Sequence, residues 1–293
     1  MAELESIKRK LYIGVNQSLY LGLMCVPHKD HAIVSDKLIV SLQGDFKITL
    51  ENGDEILTRS CLLKAGMSFK KAKVNMDNAV MAVYYLAPLT QDYSSLESIM
   101  SWATCGLHYN HPEQDDLIDT LVNIRKTSTT PEQAYSQLRR FIITPSKEDF
   151  VFREFDDRII EVVRQIRATA SENLSLKEFA NNVHLSESRL EKLFKEQMGI
   201  PITRYRLRYR VWIGIIHLAL GQSITEAALA AGFASTAHFS KSFSATNGIP
   251  PSETFFKAPY LEVLIADKVF KNMMIVVNKK TINTRKKNKI LAV

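Results

Sequence analysis

The pattern of apolar and polar positions divides the chain into a β-type front and a helical remainder. From Lys10 to about Pro88 the apolar positions fall in short runs: Lys37 to Val40, Phe46 to Leu50 and Val80 to Leu86 are rich in Val, Ile, Leu, Phe and Tyr. Such residues suit a pleated, half-buried surface. Asn52-Gly53-Asp54 stands between two of these runs, and Asn-Gly supplies the positive φ that a primed hairpin turn needs. Several short strands at this spacing predict a small barrel or sandwich, a fold whose mouth can hold a ligand.

Past Pro88 the period becomes helical. Leu96, Ile99 and Met100, then Leu117, Ile118, Leu121 and Ile124, then Tyr135, Leu138 and Phe141 mark three amphipathic helices. Stripes of this kind ordinarily cover a sheet; the other reading is that one helix pairs with a second subunit to form a homodimer. Thr144-Pro145-Ser146-Lys147-Glu148 is polar and its proline interrupts the period, which places a domain boundary there. Residues 1–95 are thus expected to form a β sensor domain and 96–145 its helical part. Residues 146–155 read as a linker, 156–258 as an all-α domain and 259–293 as a basic tail, so the fold class is α+β.

Within the helical part the chain repeats itself. Ser175-Leu176-Lys177-Glu178-Phe179-Ala180 matches Ser223-Ile224-Thr225-Glu226-Ala227-Ala228, with Ser, Glu and Ala at equivalent places. One residue further out of phase, Ser186, Leu190, Lys192, Phe194, Gly199, Ile200 and Pro201 match Ser235, Phe239, Lys241, Phe243, Gly248, Ile249 and Pro250. A one-residue insertion in a turn, with the pattern kept on both sides, predicts two helix-turn-helix units. Ser175 with Glu178, and Ser223 with Glu226, form capping boxes that start the first helix of each. Gly232 provides a residue free to take positive φ in the second turn; His184 holds that place in the first.

Ser186 and Ser235 are placed to cap the second helices. The outward face of the first copy then carries Glu187, Ser188, Glu191, Lys192 and Lys195. That of the second carries Thr236, Ala237, His238, Ser240 and Lys241, with Ser244 beyond. A polar helix face is usually only solvated, but the second helix of a helix-turn-helix unit enters the major groove. These ten residues are therefore the candidate base-reading set. Ile202 to Leu220 is read as a rigid helical connector. Its Arg204, Arg206 and Arg208, with Arg210 after them, are candidates to neutralise phosphates, as are the capping Ser186 and Ser235.

Charge supports this division. Lys and Arg number 17 against 19 Asp and Glu in residues 1–155, 13 against 10 in 156–260, and 8 against 2 in 261–293. A neutral front joined to a basic back suits a sensor attached to a module that binds a polyanion. The tail, with its run Arg285-Lys286-Lys287-Asn288-Lys289, is expected to be a disordered extension, the other reading being a phosphate-binding arm.

The segment from about Asn173 to Phe255 resembles the DNA-binding domain of the AraC/XylS family of transcription regulators. The matching positions are Leu190, Phe194-Lys195, Gly199, Arg210, Ile224, Ala228, Gly232-Phe233, His238-Phe239, Phe243, Gly248 and Pro250-Pro251-Ser252. The resemblance implies seven helices, two recognition helices in successive segments of major groove in double-stranded promoter DNA, and activation through RNA polymerase. Ser244, Thr254-Phe255 and His217 depart from the family pattern. The front half is similar in layout to the family's cupin-like effector and dimerisation domains, which implies a small-molecule effector, or a protein partner in its stead.

Other chemistry finds little support. No Gly-x-Ser-x-Gly, P-loop or dinucleotide fingerprint occurs, so no catalytic residue and no cofactor is expected. His28 and His31 lack the His-x-His with a following Glu of metal cupins, and no metal is expected. His108 and His111, beside Tyr109 and Pro112, read as exposed loop residues. Cys25, Cys61 and Cys105 are scattered thiols without a CxxC pair, as suits a reducing compartment. The apolar stretches, such as Ala79 to Leu89 and Val211 to Leu220, are too short to span a membrane. Met1 to Lys10 leads into no signal-type apolar core, so a cytoplasmic location is expected, a bacterial one by the resemblance above.

Overall fold

The computed structural model describes residues 9–23, 33–68, 72–75, 79–104, 106–143, 152–172, 174–257, 261–269 and 290–292. Cys25, His28, His31, Cys105, the boundary segment Thr144 to Glu148 and the basic run of the tail lie outside them. The chain forms two compact units, one of Met1–Phe152 with Thr254–Val293, the other of Arg153–Glu253.

In chain order the first unit holds β1 (Arg9–Ile13), β2 (Ser18–Leu23), β3 (Lys37–Ser41), β4 (Phe46–Leu50), β5 (Glu55–Thr58) and β6 (Ser60–Leu63). There follow β7 (Ala72–Asn75), β8 (Val80–Tyr85), α1 (Asp92–Ile99), β9 (Ser101–Thr104), β10 (Leu107–Tyr109), α2 (Gln114–Lys126) and α3 (Pro131–Ile142). After the second unit the chain returns with β11 (Leu261–Ile265) and β12 (Ile290–Ala292). Among the described residues these strands make a nine-stranded sheet, β12-β11-β1-β2-β8-β3-β6-β10-β9, and a three-stranded sheet, β5-β4-β7.

The alternation of side chains along a strand explains why the large sheet serves two cores. Along β8, Val80, Ala82 and Tyr84 enter one and Met81 and Val83 the other; Leu38, Val40 and Leu62 join the first, Ile39, Cys61 and Leu63 the second. The first core is closed by Leu117, Ile118, Leu121 and Ile124 of α2 and Ala134, Leu138, Phe141 and Ile142 of α3. The stripes read as a cover for the sheet do cover it. The second core is closed by Phe46, Ile48 and Val74 of the small sheet. Burial holds the Cys61 thiol up at about 12, so it is an inert apolar filler.

The hairpin after β4 forms, but Gly53 (φ 89°) has positive φ and Asn52 does not. Residues 51–54 therefore make a longer loop, closed by the Leu50 amide donating to the Asp54 carbonyl at 2.8 Å, rather than a primed two-residue turn.

Three expectations are corrected. The stretch 96–145, read as wholly helical, contains β9 and β10, which pair with each other and, through β10, with β6. Their runs of four and three residues are too short to show a period. His108 and His111 are not exposed, at 5% and 2% accessibility. His108 lies on β10, and His111 donates from Nε2 to the Phe141 carbonyl (2.9 Å) while Nδ1 accepts the Glu113 amide (3.1 Å). Finally, the tail is not a free extension throughout. Leu261–Ile265 pairs in parallel with β1, Arg9 opposite Leu261 and Ile13 opposite Ile265, and Leu264 enters the core beneath α2 and α3. A five-residue run with four apolar side chains beside an open sheet edge gains more by pairing than by hydration.

The second unit and the residues that follow it hold α4 (Asp157–Ala168), α5 (Leu176–Asn182), α6 (Glu187–Met198), α7 (Ile202–Ala219), α8 (Ile224–Ala230), α9 (Thr236–Asn247) and α10 (Pro251–Phe256). Those are the seven helices the resemblance implied. Among the described residues no helix is long and apolar enough to cross a membrane, and no group of three His, Cys, Asp or Glu could hold a metal ion.

Candidate nucleic-acid interface

Local chemistry builds the two helix-turn-helix units alike. Ser175 Oγ accepts the Glu178 amide (3.2 Å) and Glu178 accepts the Ser175 amide (2.6 Å) at the start of α5; Ser223 and Glu226 repeat this at α8 with 3.2 and 2.7 Å. The Ser175 amide, foremost, holds the Glu178 carboxyl below the usual carboxylate range. Ser186 Oγ then accepts the Arg189 amide (3.3 Å) to cap α6, and Ser235 Oγ accepts the His238 amide (3.2 Å) to cap α9. Both capping serines therefore have a structural role. Both second helices stop at a glycine of positive φ, Gly199 (74°) and Gly248 (90°).

The turns differ in residue but not in conformation, since His184 takes φ 55° where Gly232 takes 77°. The histidine thus makes the left-handed turn that the glycine makes in the other copy. Gly232 faces a further constraint, because a Cβ there would lie 2.7 Å from Ser171 Cα and 2.9 Å from its carbonyl oxygen.

Leu190, Leu193, Phe194 and Met198 turn α6 inward, and Phe239, Ser242 and Phe243 do the same for α9. On α6 this leaves Glu187, Ser188, Glu191, Lys192 and Lys195 exposed. Lys192 Nζ is 4.0 Å from Glu196, a solvated pair of little energy. On α9, Ala237, His238 and Lys241 are exposed, and Thr236 and Ser240 are half-buried. The His238 ring stands edge-on to Phe233, centroids 5.2 Å apart, and Thr236 Oγ1 reaches Thr225 Oγ1 at 3.3 Å.

Arg189, which is not among the residues that the sequence marks as base-reading, is exposed on α6. The repeat itself could have found it. At the offset of the second helices Arg189 is the counterpart of His238, and the two amides make the same bond to the capping serine.

The connector α7 corrects one expectation. Arg206 does not point to solvent as a phosphate ligand: its Nη1 donates to the Leu174 carbonyl at 2.6 Å and its Nη2 to that of Glu172. Arg210 donates to the Ala170 (2.6 Å) and Glu172 (2.7 Å) carbonyls. Burial lowers the pKa of both, and for Arg210 the like charge of Arg206 adds to it. A loop that ends α4 leaves carbonyls unpaired, and the two guanidinium forks satisfy them. Arg204 is exposed, while Arg208 lies over the Tyr205 ring at 5.8 Å. Gly214 lets α9 approach, since a Cβ there would be 2.4 Å from the Phe239 ring. His217 is buried and its Nδ1 is 2.9 Å from Gln222 Oε1. Burial pulls its pKa down, with the Gln222 bond opposing.

Two capped helix-turn-helix units joined by one long helix define a duplicated helix-turn-helix domain. Residues 179–256 match a family model described as "Helix-turn-helix domain". The chain is 34% identical over 97 residues to the HTH-type transcriptional regulator GbdR of Pseudomonas aeruginosa, which takes in 33% of this chain and 26% of that protein. An uncharacterized HTH-type transcriptional regulator of Staphylococcus aureus is 34% identical over 89 residues, 30% of this chain and 12% of that one. The chain thus spans about a quarter or less of the length of these relatives. Among solved structures, ToxT from Vibrio cholerae O395 aligns with TM-score 0.53 at 17% identity, covering 81% of this chain and 96% of its own. Unsaturated fatty acid bound wild-type ToxT from strain SCE256 aligns with TM-score 0.50 at 15% identity, covering 84% and 97%. Residues 179–256 are thus a helix-turn-helix domain similar to those of HTH-type transcriptional regulators, and the α+β fold, a sheet-rich first unit and a helical second one, is similar to that of ToxT.

Proposed function

We propose that this protein is a sequence-specific transcription regulator that reads double-stranded promoter DNA with α6 and α9. The observation that carries this reading is the duplication: two helices capped by serine at the same place, each with a polar face left outside the core, are held by one connector. A groove-reading pair needs its helices about 34 Å apart along the DNA, one helical turn. The faces are unequal, Glu187, Ser188, Glu191, Lys192 and Lys195 on one and Thr236, Ala237, His238, Ser240 and Lys241 on the other. One chain therefore reads an asymmetric site. Arg204 and Arg208 contact phosphates; Ser186 and Ser235 cap their helices and present N-terminal amides to the backbone.

The regulator acts as an activator that recruits RNA polymerase, in the bacterial cytoplasm, and as a homodimer. Control comes from a small-molecule effector sensed by the first unit. Support for the effector is the fold shared with a protein described as fatty acid bound. The alternative, control by a protein partner, is favoured by Trp102, 68% exposed on the edge strand β9. A thermal-shift screen separates the two: a ligand that raises stability and alters DNA affinity supports the sensor, and one that does neither does not. For the DNA-reading set, Lys192→Ala and Lys241→Ala are expected to weaken specific binding more than nonspecific binding. Equal loss on both would reduce these lysines to phosphate contacts and remove them from the reading set.

A further inference from the structure

We infer that residues 170–172 and 174, gripped by Arg206 and Arg210 and pressed against Gly232, fix the distance and phase between the two recognition helices, and so set the half-site spacing of the DNA that this protein accepts. The inference rests on the DNA-reading function proposed above and goes further, because it assigns positioning residues outside both recognition helices.

This loop leads from α4 into the first helix of the first helix-turn-helix, so its backbone places α5 and, through it, α6. Three of its carbonyls are taken by the connector: Arg206 holds Leu174 and Glu172, and Arg210 holds Glu172 and Ala170. Glu172 is shared by both guanidinium groups, so the loop cannot slide along α7 without losing bonds on both sides. A guanidinium is planar and its donors are fixed relative to one another, which makes it a fork rather than a tether.

The other side of the loop meets the second helix-turn-helix unit. At Gly232, in the turn between α8 and α9, there is no room for a Cβ, the nearest atoms being backbone of Ser171 at 2.7, 2.9 and 3.0 Å. Positive φ alone does not demand glycine at this turn. His184 takes the same left-handed conformation in the first copy, and its side chain is exposed. The two copies therefore differ at this position because one turn abuts the loop and the other faces solvent. The repeat is broken where the two units must be registered against each other.

This contact gives the spacing a second constraint beside α7. A helix of 18 residues fixes distance along its axis, but rotation of one unit about that axis is opposed by what lies off it. The loop lies off it, bonded to the connector and touching the second turn.

The test uses the full chain and a duplex that it selects from a randomised library, with the two contacted segments located by footprinting. Affinity is measured on that duplex and on derivatives with one or two base pairs inserted or removed between the segments. Gly232→His copies His184 of the first helix-turn-helix, which takes the same left-handed turn conformation; Arg210→Met removes one fork. Wild type is expected to lose at least tenfold on a one-base-pair change. Both variants should bind the selected duplex less tightly and lose less than threefold on that change. Their affinity for a duplex carrying one contacted segment should stay within twofold of wild type. For Arg206→Met the slope of log affinity on log salt should be unchanged, whereas a phosphate contact would reduce it by about one. A spacing profile as steep in the variants as in wild type overturns the inference, as does a reduced salt slope or an equal loss on one-segment and two-segment duplexes. If wild type selects no duplex at all, the DNA-reading function fails, a different result from any of these.

Discussion

Replacing Leu264 by alanine tests whether the chain really returns to the first unit after the second. Leu264 is 3% exposed and belongs to the core with Tyr12, Leu86, Leu121 and Phe141. Truncation of a buried leucine costs about 2–5 kcal/mol, the lost transfer energy plus a cavity term. For a unit of this size about 1 kcal/mol corresponds to roughly 2–4 °C in melting temperature, so a drop on the order of 5–15 °C is expected for the transition of the first unit. Removal of residues 261–293 should do more, because Leu261, Val263 and Ile265 are buried as well and each contributes about 1.5–3 kcal/mol. The assay is thermal unfolding followed by calorimetry, with Lys268→Ala, an exposed position one turn beyond the strand, as control. Were Leu264→Ala to melt within a degree of the control, the strand would not be part of the core and the parallel pairing with β1 would be refuted.

Gly214→Ala gains helix propensity of about 1 kcal/mol but drives a methyl to 2.4 Å from the buried Phe239 ring, and overpacking costs about 1–3 kcal/mol. A net loss of up to about 2 kcal/mol is expected in denaturant unfolding, relieved in the double variant with Phe239→Leu; a net gain would contradict the packing of α9 on α7. His108, His111 and His217 all have pKa values lowered from 6.5, chiefly by burial. The unfolded chain then protonates first, so their contribution is complete above about pH 6.5 and is lost as pH falls below it. Melting temperature should fall between pH 7 and 5.5, and less steeply in His217→Gln; an identical slope in that variant would remove His217 as a source.

Much of the second unit was legible because its signals are local. A capping box needs only Ser and Glu three residues apart, and the repeat of Ser175 to Pro201 in Ser223 to Pro250 marks both helix-turn-helix copies in the sequence itself. The stripes of α2 and α3 were legible for the same reason, being long enough to show a helical period. What escaped was decided by partners distant in sequence. Leu261–Ile265 is a strand because β1, some 250 residues earlier, offers an edge. β9 and β10 are too short to declare themselves, and the buried His108 and His111 meet partners distant in sequence, Tyr93 of α1 and Phe141 of α3. Arg206 looked like its neighbours Arg204 and Arg208; its fate depends on the carbonyls of a loop 32 and 34 residues before it. Arg189, by contrast, was visible in the repeat as the counterpart of His238.

The central claim, that two unequal helix-turn-helix units of one chain read a directional site, is tested most directly by selecting duplexes from a randomised library with the full-length protein and footprinting the winner. The account predicts two protected major-groove segments about one helical turn apart, of different sequence and in a fixed order, with binding lost when one of them is inverted. Selection of no preferred sequence, or of a single segment that Lys241→Ala leaves unaffected, would contradict it.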